Sequence, residues 1–511
     1  MSAFREALKN STEYAQLEKA VALGRVPAGA LGLAQAHKAH IINCLCGNLN
    51  RKGIVVMPDE ASATKLCEDL KVYGLNALVY PERDFAFNGA EIRSHEYEQR
   101  RLKVLASMLS GNLDVAVCSA GAAIQRTIPP EMLKNYSLVL KERGSISPES
   151  IKQVLISSGY SRCDMVEGVG QFSVRGGIID LFSPDDEQPV RIDFWGDTVE
   201  SMSHFDIESQ RRTDKVSELA IMPSTEIVFG ADDEFAQKLE SFIATVKGKG
   251  SKKAKEKLFA DLDRLKNGVK LTAQDKYLPL AYDRETTIFD YLDKNYLLFS
   301  CDSSNVKEKV QSANKLMNED IKYLLGEGEL CGGLDKFYLS FAELVREYEK
   351  HGVIYLDNFA RGSFDLPVKE LVNFSVTTLP AWNGRFDILV EDLTPLMKNK
   401  PTAVVFAGTE KSAKSLAEDL ENEGIPAVYF MLEPKEFPKG RVSVLPGAVS
   451  GGFAFPGEKF YVFSYTRAAL TSKKRAKARF KKGQGIHSLD GLLFEEDRRN
   501  KGCRKSQKNK Y

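Results

Sequence analysis

The sequence predicts a multidomain α/β protein: a parallel-sheet unit, an α+β domain inserted into it, and a second α/β unit behind. Three observations carry this. Apolar runs alternate with helical stretches early in the chain, short strands with glycine turns fill its middle, and a strand–helix–glycine pattern returns near residue 403. At 511 residues the chain also exceeds what one hydrophobic core organises.

The first unit opens with Gly53-Ile54-Val55-Val56-Met57, an apolar run closed by proline. Ala61, Leu66 and Leu70 follow at helical spacing, then Gly74 and a second run, Ala77-Leu78-Val79-Tyr80. This is a β-α-β unit, and Leu113 to Cys118 supplies a further buried strand of a parallel sheet. From about Tyr160 to Phe229 the texture changes. Gln171-Phe172-Ser173-Val174-Arg175 is followed by Gly176-Gly177, Ile178 to Phe182 and Val190 to Trp195, and Gly196-Asp197 signals a two-residue hairpin before Thr198 to Met202. Between roughly Asp232 and Lys350 the chain is helical and charged, and Lys247 to Lys253 is expected as a solvated, lysine-rich stretch. The second α/β unit is read as starting near Val353. Its Ala403-Val404-Val405-Phe406, Glu418-Asp419-Leu420 and Gly424 echo Ile54-Val55-Val56-Met57, Glu68-Asp69-Leu70 and Gly74, either as related layers or by convergence on one motif.

Composition narrows the function classes. With 43% hydrophobic and 28% charged residues the chain reads as globular. No apolar run approaches the roughly 20 residues that span a bilayer, and the start lacks a signal-peptide layout, so a cytoplasmic protein without membrane association is expected. The eight cysteines form no C-x-x-C pair and have no histidine at ligand spacing, which predicts idle thiols and no metal site. From Arg467 onward 15 Lys/Arg face 4 Asp/Glu, whereas the preceding body carries 56 against 66. Any sequence-independent DNA affinity is therefore expected to be weak or to come through the tail.

A phosphate loop requires G-x-x-x-x-G-K-[ST], in which backbone amides curl round the phosphates, lysine meets the β/γ oxygens and the hydroxyl holds Mg²⁺. Gly32-Leu33-Ala34-Gln35-Ala36-His37-Lys38-Ala39 keeps Gly32 and Lys38 but has His37 for the second glycine and Ala39 for the hydroxyl. A side chain at His37 hinders the tight turn, and Ala39 cannot coordinate a metal. Asp59-Glu60-Ala61-Ser62 spells an acidic motif but occupies the next β-α turn, so no catalytic role is expected of it. The expectation is a degenerate loop, no productive ATP binding, no cofactor, no catalytic residues and no enzyme.

The run from Phe172 to Arg212 resembles the UvrA-interaction domain shared by UvrB and the transcription-repair coupling factors (Mfd). It reads Phe-Ser-Val-Arg-Gly-Gly-Ile-Ile-Asp-Leu-Phe-Ser-Pro, then Val-Arg-Ile-Asp-Phe-Trp-Gly-Asp-Thr-Val-Glu-Ser, then Phe205-Asp206 and Ser209 to Arg212. The degenerate loop resembles the coupling factors' rather than UvrB's, and Tyr80 to Phe87 lacks the aromatic cluster of UvrB's damage-probing hairpin. Tyr277-Leu278-Pro279-Leu280, Thr287 to Leu292 and Phe480 to Ile486 point the same way. The resemblance implies a UvrB-like α/β domain made of residues 1–136 with 224–349, an inserted UvrA-interaction domain at 137–223, a second α/β domain at 350–466 and a basic linker with a divergent, disordered tail at 467–511. It implies UvrA as partner in nucleotide excision repair, with Arg175, Arg191 and Trp195 as contact residues; Trp195 stands where phenylalanine is common. The family continues into an RNA-polymerase-binding domain, a translocase and an autoinhibitory domain, so a truncated chain with a constitutively open docking face is expected. A UvrB-type ATP-dependent repair protein is the alternative, and a DNA-binding module acting through the tail a third reading.

Alternation indicates how the inserted domain presents these groups. Val190, Ile192 and Phe194 face the core, leaving Arg191, Asp193 and Trp195 on the other side. Arg175 is expected to join them through a bend at Gly176-Gly177. The competing expectation is that both arginines merely pair with Asp193 and cover the sheet.

Overall fold

The computed structural model describes residues 2–87, 95–229, 234–247, 251–267, 269, 271–359, 363–380, 382 and 384–465. These belong to one compact unit, Met1–Arg467; the basic segment Lys473 to Arg479 and the remaining tail lie outside the described residues.

The strands in chain order are β1 (Ala28–Leu31), β2 (Lys52–Met57), β3 (Ala77–Tyr80), β4 (Val115–Ser119), β5 (Leu138–Lys141), β6 (Ser161–Arg162), β7 (Gln171–Arg175), β8 (Ile178–Leu181), β9 (Val190–Trp195), β10 (Thr198–Phe205), β11 (Arg212–Lys215) and β12 (Glu218–Ile221). They continue as β13 (Tyr296–Cys301), β14 (Val353–Leu356), β15 (Glu370–Asn373), β16 (Thr377–Leu379), β17 (Thr402–Phe406), β18 (Ala427–Tyr429), β19 (Val442–Leu445), β20 (Gly452–Phe455) and β21 (Phe460–Ser464).

The first sheet has the order β15-β1-β14-β13-β2-β4-β3 and is parallel throughout. Its central strands are apolar on both faces because helices cover both. One finding moves an expected boundary. Val353–Leu356 and Glu370–Asn373 pair on either side of β1, so they complete the first sheet instead of opening the second unit. The second sheet starts at β16, with the order β16-β20-β21-β17-β19-β18. A buried parallel strand reads alike in either sheet, and only its pairing assigns it.

The echo noted in the sequence has a shared local mechanism. In each copy a strand runs into a helix whose cap accepts a backbone N–H: Asp59 from Ser62 at 2.8 Å and Thr409 from Ser412 at 3.2 Å. Asp59 and Ser62 close a capping box, which accounts for the Asp-Glu-Ala-Ser spelling as a helix start. Gly74 (φ +78°) and Gly424 (φ +75°) end the two helices in the left-handed region. In the lysine-rich stretch, the helix Ser251–Lys266 buries Ala254, Leu258 and Leu262 and leaves Lys252 and Lys253 exposed; residues 248–250 lie outside the described residues.

Between β4 and β13 the chain builds the inserted domain. A six-stranded sheet, β11-β10-β9-β8-β7-β6, packs its apolar face on the helix Pro148–Ser157, and β5 pairs with β12 at its base. A buried ion network in the first unit surrounds the point where the chain returns from this domain. Arg101 is fully buried and donates to Glu226 Oε1 (2.5 Å), Gln125 Oε1 (2.8 Å) and the carbonyls of Pro81 and Arg126 (both 3.2 Å). Arg83 reaches Glu98 (2.7 Å) and Asp275 (2.5 Å). Glu98 in turn accepts from Glu226 N and Thr225 Oγ1, where the chain leaves the inserted domain.

Two layers meet where Asp69, on the helix Glu60–Val72, accepts from Ser450 N (2.7 Å) and Ser450 Oγ (2.5 Å). Burial raises the Asp69 carboxyl to about 6, against the pull of those two donors. Because the folded value lies above the unfolded one, this group's stabilisation is complete below about pH 4 and is lost as pH rises through about 6. Between pH 4 and 7 denaturant titrations should therefore show wild type losing about 2–3 kcal/mol more stability than Asp69→Asn. Parallel curves would contradict the assignment.

Candidate functional site

The phosphate-loop residues lie at the carboxyl edge of the first sheet, where β1 passes into the helix Gln35–Asn48. Gly32 has φ +85°, and a Cβ there would stand 2.6 Å from the Phe374 carbonyl, so the residue must be glycine. His37 is buried edge-on to Phe453 and Phe455 of β20, with ring centres 5.4 and 5.5 Å away. His40, one turn on, is tilted against Phe453 and Phe460. Burial pushes the two imidazoles down to about 4 and about 3, so both are neutral packing groups at pH 7. Lys38 is equally buried and its Nζ lies 2.6 Å from Asp302 Oδ2. Ala39 is enclosed in the same core.

Sequence reasoning missed an acidic residue here. Asp357 directly follows β14, beside β1: its carbonyl accepts from Leu33 N, its N–H donates to Ala30 O, and its carboxylate accepts from Ser303 N (2.8 Å) and Ser303 Oγ (2.6 Å). The signal was an apolar strand ending in aspartate, Val353-Ile354-Tyr355-Leu356-Asp357. Phosphate-binding folds place a Mg²⁺ ligand at such a position. Here protein groups already satisfy the lysine and both aspartates, and the β20 aromatics cover the amino-terminal turn of the helix.

The three proposed contact residues share the polar face of the inserted sheet, and register explains how. Ser173 is opposite Asp180, Asp180 opposite Arg191, and Arg191 opposite Ser203. Arg175 faces Ile178 across the Gly176-Gly177 turn, where Gly176 has φ +60°. Arg175 therefore lies on this face by simple alternation, and the expected bend is not needed. Gly196 (φ +59°) makes the corresponding turn between Trp195 and Thr198.

The arginines' partner is Asp180, not Asp193. Arg191 binds the buried Asp180 carboxylate through both oxygens, Nε to Oδ1 at 2.7 Å and Nη2 to Oδ2 at 2.9 Å, and lies over the Phe205 ring. Arg175 reaches Asp180 Oδ2 at 2.7 Å while its side chain stays 53% exposed. Asp193 belongs instead to Arg212 (2.5 and 2.7 Å) and Ser201 (2.6 Å), and the Arg212 guanidinium holds its carboxyl below the usual range. Trp195 is 80% exposed, the most exposed large apolar side chain among the described residues.

Comparison with known proteins bears on this face. Residues 138–227 match the family described as the UvrB interaction domain. The chain is 27% identical over 462 residues to the transcription-repair-coupling factor of Bacillus subtilis, covering 88% of this chain and 38% of that protein. The corresponding protein of Staphylococcus epidermidis is 24% identical over 88% of the chain, and that of Staphylococcus aureus 22% over 91%. The chain thus spans about two fifths of the length of the curated relatives it matches. The resemblance read from Phe172 to Arg212 holds along most of the chain.

Proposed function

We propose that this chain is the UvrA-docking, amino-terminal part of a transcription-repair coupling factor, acting in nucleotide excision repair as a recruitment module without chemistry of its own. The observation that carries the reading is Trp195, an exposed aromatic on the same polar face as the half-exposed Arg175, in a domain matching the UvrB interaction domain. An exposed aromatic next to arginine is the residue mixture that dominates protein interfaces. The same reading takes no nucleotide, supported by the Lys38–Asp302 ion pair, the buried His37 and the absent hydroxyl at Ala39. RNA polymerase binding and translocation belong, on this reading, to parts of the relatives outside the matched two fifths.

Calorimetric titration of UvrA into the full chain tests the proposal. Wild type is expected to bind, and Trp195→Ala to weaken binding by about 2 kcal/mol or more, as truncation of a central anchor does. Titrating ATP with Mg²⁺ into the chain alone should give no saturable heat. A folded wild type that ignores UvrA, or a saturable ATP isotherm, would overturn the corresponding half.

A further inference from the structure

The two arginines of the docking face are not equivalent. Arg175 uses one nitrogen on Asp180 and leaves the rest of its guanidinium in solvent. Arg191 has a side chain only 14% exposed and makes four hydrogen bonds. Two go to Asp180, one runs from Nη1 to the Gln210 carbonyl (3.1 Å) and one from Nη2 to Gln210 Oε1 (3.4 Å). A guanidinium offers five N–H groups, so little remains for a partner.

What Arg191 does hold is the turn 206–211 between β10 and β11. Gln210 sits at φ +58°, unusual for a residue with a side chain. The turn is braced internally: Ser209 N and Oγ donate to Asp206 Oδ1 (2.8 and 2.7 Å), Gln210 N to Asp206 O (2.8 Å) and Asp206 N to Arg211 O (3.0 Å). Arg191 supplies two bonds that tie the turn to the neighbouring strand β9. Glu208 and Arg211 are exposed on it, and the Arg211 side chain has no hydrogen-bonding partner among the described residues. Trp195 ends β9 at the other extreme, so the polar face runs the length of that strand from the tryptophan towards the turn.

We propose that Arg191 is a positioning residue: locked between Asp180 and Gln210, it fixes the turn 206–211, and that turn presents Arg211 to an acidic group of the docking partner. This rests on the UvrA-docking reading above. It separates two roles that a single Arg191→Ala result would merge. If Arg191 touched the partner directly, freeing it from Asp180 would leave binding intact or tighten it. If it positions the turn, cutting that anchor weakens binding.

The test titrates UvrA into the full chain and its Asp180→Asn, Arg191→Ala, doubly substituted and Arg211→Glu variants, and follows amide hydrogen exchange of residues 206–211. Asp180→Asn and Arg191→Ala should each weaken binding by about tenfold or more, with the double variant no worse than the singles, and both should speed exchange in the turn. Arg211→Glu should weaken binding as strongly with exchange unchanged. Should Asp180→Asn fail to fold, Asp206→Ala, at an exposed position, loosens the same turn and is expected to weaken binding likewise. Wild-type affinity in folded Asp180→Asn, in Asp206→Ala or in Arg211→Glu would overturn the inference and leave the docking reading standing. A wild type that does not bind at all would remove the docking reading and the inference with it.

Discussion

Arg101→Met is expected to destabilise the protein by about 3–5 kcal/mol, the cost of removing one partner from a buried ion pair. Arg101 has no solvent exposure, and its loss strips Glu226 of both close contacts, leaving Arg83 Nη1 at 3.9 Å as the remaining cation. Gln125 and the carbonyls of Pro81 and Arg126 lose a donor, and the Tyr80 ring loses the cation 4.2 Å from its centre. Methionine fills much of the volume but none of these roles. Arg101→Lys should recover only part of the loss, because an ammonium cannot spread over four acceptors in a plane. Urea denaturation checks this, and a change below about 1 kcal/mol would mean the buried network contributes no more than an exposed ion pair.

Phe453→Ala should cost a similar amount at a different joint, about 3–5 kcal/mol for a fully buried aromatic. The ring is the common neighbour of His37, His40, Phe455 and Phe460, so its removal opens a cavity between the helix Gln35–Asn48 and β20. Neutral imidazoles cannot collapse into that space without giving up their other contacts. Faster hydrogen exchange is expected in the helix Gln35–Asn48, with the proposed binding of UvrA by the inserted domain unchanged, since that domain's core shares no residue with this cluster. Loss of UvrA binding together with stability would show that the two regions are coupled.

Much of this architecture was legible because its signals are local. Strand–helix–glycine order and the hairpin at Gly196-Asp197 each lie within a few residues of the groups that cause them. Pairing was not legible. Asp193 was the natural sequence guess for Arg191 because it lies two residues away, yet register places Asp180 directly across and gives Asp193 to Arg212. For the same reason β14 was assigned to the wrong sheet and Asp357 went unnoticed at its end. His37 stood out in the sequence as a misfit for a phosphate turn, but nothing near it in sequence foretold rings more than 400 residues away.

The placement of β1 bears on how the protein is made. Its two neighbours in the sheet, β14 and β15, are encoded more than 300 residues later, whereas β2, β4 and β3 can join as soon as residue 119 is available. At a synthesis rate of 5–20 residues per second the Ala28–Leu31 segment waits roughly 15 to 65 s before its partners exist. During that interval the entire inserted domain, from β5 to β12, has left the ribosome, and all its strand pairs, including β5 with β12, have both members made. Every strand of the proposed docking face is thus synthesised before the sheet that carries it can be completed.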